Sequence, residues 1–112
     1  MIERRKEARI EADLAICVWG IDSKGLPFAQ EALARNISYR GALLTGLEQL
    51  LRCGDVIGIQ YGRKKARFRI IWLRDSESDE KIRAAVQRFE VDACPWEHVL
   101  NQSSVAMAAA AT

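Results

Sequence analysis
Asn36-Ile37-Ser38-Tyr39-Arg40-Gly41 places two short polar side chains and a glycine at fixed offsets between strand-like stretches. Asn36 and Ser38 can close a turn on their own backbone or reach out to a ligand, and Gly41 permits a positive φ or a close backbone approach. A second chemistry-bearing group opens the chain: Arg5 and Arg9, four residues apart, with Arg4 beside them. Their planar guanidinium forks suit phosphates and guanine edges. By residue type the two groups offer anion clamping and polar recognition of a base. As plain structure they offer an Asx-type turn and a solvated leader.

Hydrophobic periodicity predicts the elements that position them. Asp13 to Trp19 alternates, with Leu14, Ile16 and Val18 on one side, and Phe28 to Arg35 returns after the turn residues Gly20 to Gly25. Ala42 to Thr45 reads as a third strand, Leu47 to Leu51 as one helical turn, and Val56 to Tyr61 as a fourth strand. Lys65 to Leu73 is the clearest alternation, with Ala66, Phe68, Ile70 and Trp72 inward and a basic row of Lys65, Arg67 and Arg69 outward. Ile82, Ala85, Val86 and Phe89 fall at helical spacing, so the pattern predicts an amphipathic helix over about residues 79–91, capped by Ser76 or Ser78. Two hairpin signals and about five short strands point to a mainly β fold, a small antiparallel barrel. The expected division is an arm over residues 1–11, a barrel with its helix over 12–100, and a weakly specified, alanine-rich tail over 101–112.

Composition narrows the function. A chain of 112 residues with 49% hydrophobic and 29% charged side chains fits one domain with one core. No apolar run approaches the roughly 18 residues of a membrane span, and no apolar segment follows the charged start, so neither membrane insertion nor a secretory leader is expected. Cys17, Cys53 and Cys94 are odd in number and far apart, which fits a reduced cytoplasm better than a disulfide framework. His98 is the only histidine. With no second His and no paired Cys, a transition-metal site is not expected. A His-based triad is not expected either, because that one histidine lies near the peripheral C-terminus. The sequence carries no phosphate-loop or dinucleotide glycine pattern. The chain therefore does not read as an enzyme, and no cofactor is expected. The net charge of +2 is too mild to imply a nucleic-acid partner on its own.

Arg5-Lys6-Glu7-Ala8-Arg9, followed by a strand, a hairpin and then Asn36-Ile37-Ser38-Tyr39-Arg40-Gly41, resembles the two-part signature of PilZ domains, R-x-x-x-R and [DN]-x-S-x-x-G. Gly54-Asp55 and the Phe68-Arg69-Ile70-Ile71-Trp72 strand extend the likeness, which covers about residues 4–75. The resemblance implies a six-stranded antiparallel PilZ-type β-barrel with a C-terminal α-helix, and a bacterial receptor for the second messenger cyclic di-GMP that signals to a separate downstream protein. Carried over position by position, it implies that Arg5 and Arg9 lie on an arm that wraps the ligand. Asn36, Ser38 and Gly41 form the facing surface, Arg40 and Lys6 add positive charge near the ligand, and Arg4 joins the ligand-binding set. Two alternatives stand beside it. One is a PilZ-like barrel acting only by protein contacts. The other is a small basic barrel binding single-stranded nucleic acid through Arg63, Lys64, Lys65, Arg67 and Arg69, with Tyr61 or Phe68 for stacking.

Overall fold
A sheet whose strands each bury one face must have that face covered, and here the sheet covers it by closing on itself. A computed structural model describes residues 9–75 and 81–102. Its strands are β1 (Leu14–Ile21), β2 (Pro27–Arg35), β3 (Gly41–Leu47), β4 (Val56–Tyr61), β5 (Lys64–Asp75) and β6 (Ile82–Arg88). They close in the order β1-β2-β3-β6-β5-β4, every neighbouring pair antiparallel. A short helix, α1, follows over residues 97–102. Among the described residues no helix is long and apolar enough to cross a membrane.

The interior is filled by the inward phase of each strand: Ile16 and Val18, Ala32 and Ala34, Leu44 and Leu47, Ile57 and Ile59, Phe68 and Ile70, Ala84 and Val86. Trp96, the largest fully buried side chain, packs tilted against Phe68 with ring centroids 5.4 Å apart. Burying such a ring contributes on the order of 2–3 kcal/mol.

The helix expected over 79–91 is instead strand β6. Ile82, Ala84 and Val86 satisfy a period of two as well as Ile82, Ala85, Val86 and Phe89 satisfy a period of 3.6, and the open seam between β3 and β5 selects the strand. The proposed caps Ser76 and Ser78 lie outside the described residues. The helical turn expected over Leu47 to Leu51 is also absent, because Leu47 ends β3 as a core residue and the next four residues form an irregular connection.

Two irregularities shape the barrel. In β3 the pairing with β6 shifts between Leu44 and Leu47, and the Gln30 amide spans the gap, donating to Gly46 O and accepting from Glu48 N, each at 2.9 Å. In β5 the shift falls between Ile70, opposite Val86, and Trp72, opposite Ala85. Ile71 is the extra residue, exposed to solvent. Past this bulge the strand's phase inverts, so Leu73 packs on the core and Trp72, expected inward, turns out.

Candidate functional site
The turn between β2 and β3 is built from its own polar groups. Asn36 takes φ 48°, a left-handed conformation that asparagine tolerates better than most residues. Ile37 is buried and exchanges two 2.9 Å backbone hydrogen bonds with Ile10. The end of the expected arm is thereby tied to the turn, and Ile10 packs on the core. Ser38 N donates to Gly41 O at 2.9 Å, and the Ser38 hydroxyl accepts from Gly41 N at 3.2 Å. Gly41 is required by closeness: a Cβ there would stand 2.0 Å from Val86 O on β6.

The back of the turn is held by the C-terminal part of the chain. Trp96 Nε1 donates to Ser38 O at 2.7 Å, and the Tyr39 hydroxyl donates to Asn101 Oδ1 on α1 at 2.6 Å. Arg88 donates through its backbone N–H to Arg40 O at 2.6 Å and through Nε to Tyr39 O at 2.8 Å. The same guanidinium reaches the carbonyls of Phe89 and Asp92, so Arg88 clamps the turn to the 89–92 loop. Cys94 lies beneath, where burial pushes its thiol pKa up.

The front of the turn opens onto a cleft of about 340 Å³, within the range of small-molecule sites. Arg9, Ser38, Arg40 and Gly41 line it, four of the residues singled out from the sequence, together with Trp72 of β5 and Gln87 of β6. Asn36 stands apart, in a second hollow with Glu11, Asp13 and Arg35, where Arg35 Nε meets Asp13 Oδ1 at 2.8 Å. Arg4 and Arg5 lie outside the described residues.

Trp72, Gln87 and Arg88 are the contributors that the sequence pattern missed. The available signal was the run Ile70-Ile71-Trp72-Leu73, four apolar residues that break strict alternation and so announce a bulge. Arg74 lies over the Trp72 ring, its guanidinium carbon 4.8 Å from the centroid.

The cleft combines two guanidinium side chains, an aromatic wall and a primary amide. Such a set can bind an anion that carries a planar, hydrogen-bonding ring. Among the described residues no cluster of three His, Cys, Asp or Glu side chains is placed to hold a metal ion. Compared with protein-family models, curated proteins and solved structures, the chain matches none.

Proposed function
We propose that the chain is a PilZ-type receptor for cyclic di-GMP, acting on a separate protein partner. The observation that carries this reading is the meeting in one cleft of Arg9, from before β1, with Ser38, Arg40 and Gly41 of the β2–β3 turn. Residues distant in sequence converge there, with cations for a dianionic ligand, a Trp72 wall for a purine and the Gln87 amide for a base edge. The Ile10–Ile37 pairing supports a role for the preceding arm, because it anchors the chain beside the turn. In this reading Arg4 and Arg5 reach the ligand from that anchor, and ligand binding orders the arm and changes the surface a partner meets.

Ser38 and Gly41 act here by shaping the turn and its backbone, since the Ser38 hydroxyl and the Gly41 N–H bond each other. A calorimetric titration with cyclic di-GMP tests the proposal, with Arg9→Ala and GTP as controls. Binding of roughly micromolar strength or tighter, lost in Arg9→Ala and absent with GTP, is expected. Heat indistinguishable from dilution overturns it.

A further inference from the structure
We infer that the outer face of β1, β4 and β5, continued by Phe89 after β6, is a second binding surface, separate from the cleft, that takes single-stranded nucleic acid. Several observations converge on it.

Trp19, Gly58 and Arg67 lie in one cross-strand row, since Trp19 pairs with Gly58 and Gly58 with Arg67, and Phe89 N extends the row by donating to Arg67 O at 2.9 Å. The Trp19 indole lies on the backbone of Gly58, where a Cβ would stand 2.2 Å from the ring. Glycine inside a strand costs about 0.5–1 kcal/mol relative to alanine. Here its absent side chain gives the indole a flat seat. At the other end, the guanidinium carbons of Arg67 and Arg69 sit 4.9 and 5.2 Å from the Phe89 ring centroid. Asp92 fixes the Arg67 fork with bonds of 2.9 and 3.0 Å. Lys65, two residues before Arg67 in the same outward phase, is exposed.

The row thus runs from an aromatic platform at Trp19 to the two arginines over Phe89, with the exposed Lys65 and Arg69 two residues to either side of Arg67 along β5. Trp19 and Phe89 are three strand steps apart, half of the six that close the barrel, so a strand that reaches both must wrap around the wall over β4 and β5. That arc is at least about 14 Å at ~4.8 Å per step, which several nucleotides can cover. Every unpaired base offers a π-face to an indole or a guanidinium plane, and the intervening phosphates match Lys65 and Arg69. Paired bases offer no such face, so a duplex can use the charges alone. The aromatics that the sequence pattern offered for this chemistry serve elsewhere: Phe68 is buried, and Tyr61 stacks on His98 with centroids 5.7 Å apart. The mild net charge of the whole chain conceals the concentration of Lys64, Lys65, Arg67 and Arg69 along one strand.

The test is fluorescence anisotropy of labelled oligo(dT) and oligo(rU) against the full chain, between about 50 and 200 mM salt. Binding in the ~10 µM range at low salt is expected for either polymer, with log K falling against log salt by about 0.7 per phosphate engaged. The double variant Lys65→Gln/Arg69→Gln should flatten that slope by about 1.4. Trp19→Leu should weaken binding roughly tenfold and leave the slope alone. The charge variant keeps the test decisive should Trp19→Leu not fold, and Arg9→Ala should bind as the parent does. Absence of binding up to roughly 100 µM at low salt, equal affinity for a duplex or for polyglutamate, an unchanged slope in the charge variant, or loss of binding in Arg9→Ala would each overturn the inference.

Discussion

The indole nitrogen of Trp96 donates to the main-chain oxygen of Ser38 at 2.7 Å, so the side chain that fills the barrel's interior also fixes the turn that lines the cleft. Trp96→Phe keeps an aromatic ring but leaves that buried carbonyl only the weak Cys94 thiol donor at 4.0 Å. A loss of about 2–4 kcal/mol in urea unfolding is expected, from the carbonyl and the vacated space together. Affinity for cyclic di-GMP should fall as well. Ile57→Ala, a comparable core loss on β4 away from the turn, should cost a similar amount of stability and leave affinity intact; equal affinities in the two variants would refute the coupling.

Gly41 and Arg9 line the same cleft for different reasons, and thermal unfolding separates them. Gly41→Ala forces a methyl against Val86 O and should lower Tm by roughly 10 °C. Arg9 is exposed, so Arg9→Ala should leave Tm nearly unchanged while removing ligand binding.

Trp72 provides the cleft's aromatic wall only because of the β5 bulge. Trp72→Ala is expected to weaken cyclic di-GMP binding about tenfold, read by calorimetry, if a base stacks there. The change in stability should be smaller than for Trp96, since Trp72 lies outside the buried core.

The Arg67–Asp92 pair makes a prediction about acid. The hydrogen bond from the Arg67 side chain, followed by that from its backbone N–H, holds the Asp92 carboxyl at about 2, against ~3.9 for an unfolded aspartate. A lowered folded-state value means that the stabilisation is present above about pH 4 and is lost as pH falls through about 2. Urea midpoints measured across that window should slope less in Asp92→Asn than in the parent, and identical slopes would rule out this origin.

How much of this was legible in the sequence depended on whether the deciding contacts were local. Val56 to Tyr61 was readable to the residue, and β1 and β5 to within one or two at each end, because alternation and turn residues bound them. β6 was not, because Ala84 and Ala85 are equally at home in a helix and the contacts that decide the matter come from β3 and β5, far away in sequence. The same split holds for the site. Arg9, Ser38, Arg40 and Gly41 stood out by type and spacing. Trp72 is hidden by a one-residue phase change, and nothing in the type or spacing of Arg88 announces its bonds to Tyr39 and the 89–92 loop.

The barrel's closure is uneven, and this has a dynamic consequence. β1 pairs with β2 along its whole length, from Leu14 with Ala34 to Ile21 with Pro27, yet it meets β4 only from Cys17 to Trp19, and β2 meets β3 only from Leu33 to Arg35. The first hairpin is therefore a panel framed by two short seams. Native-state hydrogen exchange should find it opening as a unit, at a free energy below that of global unfolding. Because Ile10 and Ile37 latch the panel at the turn, a ligand seated in the cleft should slow exchange along both seams at once.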